Sequence, residues 1–333
     1  MSRNTGASET MEVALAKRVL AGEVAAAARL ISQVENEAPE AGRALEIIYP
    51  HTGKAQVIGI TGPPGAGKSS LTDNLIRAFR QEELTVGVVA IDPSSAFTGG
   101  AILGDRIRMQ KHCVDSGVFI RSLATRGWVG GLAKAAIGTV HVMAALGKDV
   151  IIVETVGSGQ VEIDITRAAD TTLVVLTPGA GDEIQMMKAG ILEAADIFVV
   201  NKADREGAEH VRADLEVMLA MRTYHRNEWK PGIVLTEAIS DKGTGELVAE
   251  IRRHREFLVS SGELEKRQRE RAKLELLETM EGFLHDFVHR IDAGDYLKKL
   301  VDEMLQGKTS PHAAARAITR RLVREMGDSQ QAE

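Results

Sequence analysis

Several stretches of this chain carry residue types at spacings that suit the handling of phosphates. The first is Gly62-Pro63-Pro64-Gly65-Ala66-Gly67-Lys68-Ser69, which has the spacing G-x-x-x-x-G-K-[ST] of a phosphate-binding loop. Glycines at those places let backbone N–H groups turn inward around phosphate oxygens, and a helix starting there adds partial positive charge. Lys68 then reaches the β- and γ-phosphates, the Ser69 hydroxyl ligates Mg²⁺, and Ser70 counts among the phosphate contacts. The loop follows the apolar run Ala55-Gln56-Val57-Ile58-Gly59-Ile60 and leads into the helical pattern Ser70-Leu71-Thr72-Asp73-Asn74-Leu75-Ile76. Strand, loop and helix together are the context that such a loop requires. The chain is expected to bind a nucleoside triphosphate.

A second element selects the base. Asn201-Lys202-Ala203-Asp204 directly follows the apolar run Ile197-Phe198-Val199-Val200. An Asp204 carboxylate accepts hydrogen bonds from both N1–H and the exocyclic amine of guanine. Adenine offers neither donor, so ATP leaves a buried carboxylate unpaired. Asn201 is expected to tie the base loop to the phosphate loop, and the Lys202 stem to cover the base face. GTP and GDP are therefore the expected ligands.

Between these elements lies Val150-Ile151-Ile152-Val153-Glu154-Thr155-Val156-Gly157. An acidic residue closing a buried strand holds the Mg²⁺ water shell, and Gly157 can approach the γ-phosphate. Glu154 stands where most GTPases carry Asp, which suggests a water-mediated contact. Ser158 follows Gly157, and Gln160 comes two residues later, so no water-activating residue stands in the usual place. Slow intrinsic hydrolysis, stimulated by a partner, is the expectation.

The elements that must position these residues are legible as alternating patterns. Apolar strand candidates cover 57–60, 86–91, 118–120, 150–153, 173–176, 197–200 and 233–235, separated by helical segments. Several are unbroken β-branched runs, as parallel strands buried on both faces require. The expected fold is α/β, a doubly wound, mostly parallel P-loop GTPase sheet over 55–260 with ligands at the carboxyl ends of its strands. A helical extension over 1–54 precedes it, with helical spacing over 9–36 and a short helix from Pro39 to Ile48. A helical arm over 261–333 follows. It holds a long helix over 263–291 with the stripe Leu277, Met280, Leu284, Phe287 and Ile291. A second helix carries Leu297, Leu300, Val301 and Met304, and a third is capped by Ser310-Pro311. The stripe suits either packing within the chain or a dimerisation arm.

With 333 residues, 44% hydrophobic and 26% charged, the chain has an ordinary globular composition. Aromatic content of 4% and a net charge of −6 argue against a nucleic-acid platform or an anionic membrane as partner. No leader or membrane-length apolar run stands out, so a cytoplasmic location is expected. One cysteine, Cys113, excludes an intrachain disulfide and a cysteine metal cluster.

The run Ile91-Asp92-Pro93-Ser94-Ser95-Ala96-Phe97-Thr98-Gly99-Gly100-Ala101-Ile102-Leu103-Gly104-Asp105-Arg106-Ile107-Arg108-Met109 reads as a family signature. So do Glu154-Thr155-Val156-Gly157-Ser158-Gly159-Gln160, Gly181-Asp182-Glu183-Ile184-Gln185 and Trp229-Lys230-Pro231. Together they resemble the G-protein chaperones of adenosylcobalamin-dependent methylmalonyl-CoA mutase. The resemblance runs from about Arg43 through the α/β domain. It implies a homodimer joined by the C-terminal helices, and GTP binding and hydrolysis that gate cofactor loading onto the mutase and protect or rescue that enzyme. It makes Asp92 and Asp105 first-switch carboxylates near Mg²⁺ or the attacking water, although Asp105 also suits an N-cap. The segment 177–188 suits a loop that reads nucleotide state for a partner, with Asp182, Gln185 and Lys188 as contacts, or an ordinary strand-to-helix connection. Glu237-Ala238-Ile239 aligns with the family's Ser-Ala pair, whose backbone N–H meets guanine O6. Glu237 departs from the usual Ser, which weakens a side-chain contact there, while the resemblance keeps the Ala238 backbone N–H as the O6 contact. No cobalamin site is identified in the chain.

His285 and His289 share a helix face, but no third ligand accompanies them, and a solvated helix explains them better than a metal site. Nickel-insertion GTPases are a rival reading, yet they use His-rich tracts or Cys motifs that this chain lacks. A chaperone of a related acyl-CoA mutase is another alternative. A P-loop kinase has no use for N-K-x-D, and a protein-targeting GTPase needs a Met-rich or basic module that is not seen.

Overall fold

A computed structural model describes residues 5–92, 110–112, 114–124, 129–155, 168–179, 195–225, 227–291 and 295–330. The seven expected strands all form: β1 (Gln56–Thr61), β2 (Val86–Asp92), β3 (Val118–Ala124), β4 (Val150–Thr155), β5 (Thr171–Leu176), β6 (Ile197–Asn201) and β7 (Gly232–Thr236). They make one parallel sheet in the order β3-β2-β4-β1-β5-β6-β7. β1, which carries the phosphate loop, lies between β4 and β5. The chain winds to one side of β1 for β2 to β4 and to the other for β5 to β7. The carboxyl end of β1 is thus the point where a ligand crevice opens.

Side-chain alternation assigns the two faces of the sheet. Ile58, Ile60, Val86, Val88, Val150 and Ile152 turn to one face with Leu71, Leu75 and Phe79 of α4 (Lys68–Gln81). Leu247, Val248 and Ile251 of α7 (Thr244–Ser261) join them there. On the opposite face, Val57, Val89, Ile151 and Val153 meet the helical extension and α5 (Val129–Ala145). Farther along that face Val174, Phe198 and Val200 pack on Val211 and Leu215 of α6 (Ala208–Met221). β1, β4, β5 and β6 are buried along their whole length, which is why those runs read as continuous apolar segments, whereas the edge strands β3 and β7 are only partly covered.

The extension is three helices, where the sequence shows one pattern over 9–36: α1 (Thr5–Leu20), α2 (Val24–Glu35) and α3 (Pro39–Ile48). The break comes at Gly22, whose φ of 84° lies in the left-handed region that glycine enters without Cβ strain. Pro39 takes the first turn of α3. β3 continues beyond its apolar start because Arg121 is paired with Glu35 at 3.0 Å and donates to Ser32 at 2.9 Å, both on α2.

Two compact units make up the chain, Met1–Gln268 and Arg269–Glu333. The helix α8 (Glu263–Arg290) spans the division, and its first turns belong to the larger unit. Arg267 holds them there with a fork onto Asp196, Nη1 to Oδ2 at 3.0 Å and Nη2 to Oδ1 at 2.8 Å. Asp196 also accepts from the Thr172 N–H at 2.8 Å, and His254 Nε2 lies 3.3 Å from it. Trp229 closes the cluster, donating from Nε1 to the Asp196 carbonyl at 2.7 Å and tilting over His254. The smaller unit contains the rest of α8, α9 (Asp295–Leu305) and α10 (Pro311–Gln330). Ser310 Oγ accepts from the Ala313 N–H and caps α10. In the stripe of α8, Leu277, Met280 and Leu284 are exposed, whereas Ile291 is buried. Among the described residues no helix is long and apolar enough to cross a membrane.

Burial pushes the Asp196 carboxyl up, but the adjacent His254 and the Arg267 fork outweigh it and hold the group below its ordinary value. Its contribution to stability is complete above the unfolded carboxylate value of about 3.9 and is lost as pH falls through the lower folded value. Denaturant titrations between pH 6 and the acid limit should show a steeper acid loss for the natural chain than for Asp196→Asn. Equal slopes would mean that the carboxylate is not stabilised by its neighbours.

Candidate nucleotide site

The phosphate loop is closed around its own lysine. Gly62 has φ of 140°, and a Cβ there would stand 2.1 Å from the Val175 carbonyl oxygen, so only glycine lets the chain leave β1 beside β5. Lys68 is buried at the first position of α4, and its ammonium donates to the carbonyls of Gly62 at 2.8 Å and Pro63 at 2.9 Å. The N-terminus of α4 and this ammonium place positive potential on one side of the loop.

Glu154 arrives by strand alternation. Val150 and Ile152 turn to the α4 face, and so the residue two further along β4 does too. Ser69 Oγ donates to Glu154 Oε1 at 2.5 Å and Thr72 Oγ1 to Oε2 at 2.7 Å. Thr72 Oγ1 also lies 3.0 Å from the Lys68 carbonyl. The single hydroxyl proton goes to the shorter, charged acceptor. Thr72 belongs to no phosphate-loop motif and reads in the sequence only as part of the helical pattern after the loop. Its spacing of three from Ser69 on one helix face was the available signal.

The base element is joined to the phosphate loop through Asn201, buried at the end of β6. Nδ2 donates to the Ala66 carbonyl at 2.7 Å, while Oδ1 accepts from Thr236 Oγ1 and the Ala238 N–H, each at 3.1 Å. Lys202, at φ of 60°, lays its ammonium on the Gly65 carbonyl at 2.7 Å. Asp204 is exposed and lies near enough to Lys242 to help raise that ammonium's pKa, after the larger effect of Glu237. The Glu237 carboxylate is taken up locally, accepting from Lys242 at 2.9 Å and Ser240 at 2.8 Å. Those two hydrogen bonds hold it below the usual carboxylate range. Ile239 is almost fully exposed at 95%, and its N–H has no partner among the described residues.

Lys68, Ser69, Glu154 and the Asn201 element are thus brought to the carboxyl ends of β1, β4 and β6. Asp92 ends β2, on the strand that pairs Ala90 with Glu154. Asp105, Gly157, Asp182, Gln185 and Lys188 lie outside the described residues, as do Cys113, Arg108, Ser158 and Gln160. His285 and His289 lie side by side with ring centroids 4.4 Å apart and their planes tilted by 55°. Among the described residues no group of three or more His, Cys, Asp or Glu side chains is placed to hold a metal ion.

A family model described as methylmalonyl-CoA mutase-associated GTPase MeaB matches residues 27–292. The chain belongs to the MeaB family of GTPases. A putative GTPase of Pyrococcus abyssi is 48% identical over 312 residues, covering 93% of this chain and 96% of that protein. The GTPase ArgK of Escherichia coli is 32% identical over 311 residues, covering 91% and 94%. The mouse protein named methylmalonic aciduria type A homolog, mitochondrial, is 30% identical over 262 residues, or 78% of this chain and 63% of its own length. Among solved structures, a crystal structure titled LAO/AO transport system kinase aligns with a TM-score of 0.68 at 25% identity, covering 94% of this chain and 98% of that one. As a MeaB-family member the chain is a nucleotide-binding GTPase.

Glu154→Ala takes the acceptor from the buried Ser69 hydroxyl, while Thr72 can still donate to the Lys68 carbonyl, a cost of about 1–3 kcal/mol in a denaturant titration. GTP hydrolysis should fall at least about a hundredfold, because the carboxylate that faces Ser69 at the phosphate loop is lost. An unchanged hydrolysis rate would remove Glu154 from the working site.

Proposed function

We propose that this chain is a GTP-hydrolysing chaperone that gates cofactor loading onto an adenosylcobalamin-dependent methylmalonyl-CoA mutase and protects or reactivates that enzyme. The observation that carries the reading is the family match over residues 27–292, combined with a phosphate loop and a base element tied together by Asn201.

In this reading the loop 62–70 receives the phosphates, and Lys68 exchanges the Gly62 and Pro63 carbonyls for β- and γ-phosphate oxygens. Asp204 accepts from N1–H and the 2-amino group of guanine, Lys202 covers the base, and the 237–239 backbone meets O6. The Ala238 N–H is held by Asn201, so in this reading the neighbouring Ile239 N–H, which has no partner among the described residues, is the donor to O6. The hydroxyl and carboxylate oxygens of Ser69 and Glu154, with Asp92 and Asp105, are the hard donors that suit Mg²⁺. That ion supplies charge neutralisation at the β- and γ-phosphates. Gly157 follows the γ-phosphate, and Asp182, Gln185 and Lys188 report the nucleotide state to the mutase. The exposed Leu277, Met280 and Leu284 favour the 261–333 arm as a homodimer contact, since they form an apolar stripe on one face of α8. The setting is cytoplasmic, and hydrolysis is slow until the partner stimulates it.

The decisive experiment is co-purification with an adenosylcobalamin-dependent mutase in GTP, in GDP and without nucleotide. Complex formation that depends on the nucleotide is the expected result. No complex, or the same complex in all three conditions, would sink the chaperone reading. For the base, Asp204→Asn exchanges an acceptor for a donor. Preference should move from GTP toward XTP by at least about 10²-fold, read from kcat/KM for the two nucleotides. A variant that keeps its GTP preference would take Asp204 out of base recognition.

A further inference from the structure

The base-reading loop 237–243 is fastened to the helix that begins at the phosphate loop, by residues that belong to no nucleotide motif. Asn74 on α4 is 2% exposed, and its Nδ2 donates to the Ala238 carbonyl at 2.9 Å. Arg77, three residues on, donates through Nη2 to Asn74 Oδ1 and through Nη1 to Asp241 Oδ2 at 2.9 Å. The other Asp241 oxygen accepts from Thr244 Oγ1 at 2.7 Å. Asp241 itself sits at φ of 57°, in the left-handed region that Asp enters more readily than most non-glycine residues.

The Asn74 amide has a single workable orientation. Reversed, it sets an oxygen against the Ala238 carbonyl and an NH₂ against the guanidinium. Arg77 therefore fixes which way Asn74 points, and Asp73, 3.7 Å from Arg77 Nε, helps to hold the guanidinium. Ala238 is bracketed as a result: Asn201 accepts from its N–H and Asn74 donates to its C=O.

We propose that Asn74 and Arg77 are positioning residues for guanine selectivity, holding the 237–243 loop where it meets the base without touching the nucleotide themselves. The proposal rests on the guanine-nucleotide reading given above. A loop held in place pays its ordering cost during folding, whereas a released loop pays it on binding. In that reading the phosphates are taken by the loop 62–70, so releasing 237–243 lowers only the base-dependent share of affinity.

The test is isothermal titration of GDP, ADP and inorganic tripolyphosphate into the full chain, its Asn74→Ala variant and its Arg77→Ala variant. The natural chain prefers GDP to ADP. Asn74→Ala lowers GDP affinity about tenfold, the worth of one buried hydrogen bond. Arg77→Ala lowers it by about threefold, since its ion pair with Asp241 is partly exposed. Tripolyphosphate affinity stays within about twofold in both. The double variant loses less than the sum of the two, because Arg77 acts through Asn74. Unchanged GDP affinity, or equal losses for GDP and tripolyphosphate, overturns the proposal. If Asn74→Ala does not fold, Arg77→Ala and Asp241→Asn, both at the surface, decide the same ratio. A natural chain that binds ADP as tightly as GDP refutes the guanine reading itself. Failure of the positioning role looks different: the natural preference stands and the variants share it.

Discussion

One side chain, the amide of Asn201, keeps the two halves of the nucleotide site in register. It donates to Ala66 in the phosphate loop and accepts from Thr236 and Ala238 beyond β7. All of these groups are buried, so an amide lost here would strand a donor and an acceptor on separate segments. Its closeness to Gly67 adds a second reason for the glycine that the phosphate loop already requires there. A Cβ at 67 would stand 2.3 Å from Asn201 Nδ2. The phosphate loop has its shape partly because the base element leans against it.

The rest of the site follows from the sheet. Parallel pairing of β4 with β1 and β2 sets Glu154 level with Ile60 and Ala90. The same alternation that buries Val150 and Ile152 against α4 delivers the carboxylate to Ser69 and Thr72 on that helix. Packing and chemistry therefore use one periodicity. A slip of one residue in β4 would bury the carboxylate among the apolar side chains of the opposite face.

The strands were legible because a strand covered on both faces has to be apolar at every position, and β-branched runs such as Val150-Ile151-Ile152-Val153 leave no other reading. The phosphate loop and Asn201-Lys202-Ala203-Asp204 were legible because their chemistry needs fixed spacings along the chain. What escaped depends on contacts between distant segments. The end of β3 was hidden because Arg121 interrupts the apolar run, and only its pairing with Glu35 on α2 makes it tolerable in a strand. The break at Gly22 lay within a continuous helical periodicity. The occupied Ala238 N–H could not be anticipated from its alignment, since the acceptor comes from 37 residues away. Glu237 looked anomalous as a base contact, and the structure gives its carboxylate another role, as a brace across the loop to Lys242 and Ser240.

β6 has a different duty at each end. Asn201 closes its carboxyl end, and Asp196, immediately before its first residue, grips the Arg267 guanidinium at the root of α8. Only the strand separates them, about 17 Å of extended backbone at roughly 3.3 Å per residue. Paired on both edges by β5 and β7, it holds those ends at a fixed separation. The root of α8 and the Asn201 turn are therefore anchored on one strand, so a single five-residue segment sets where both begin.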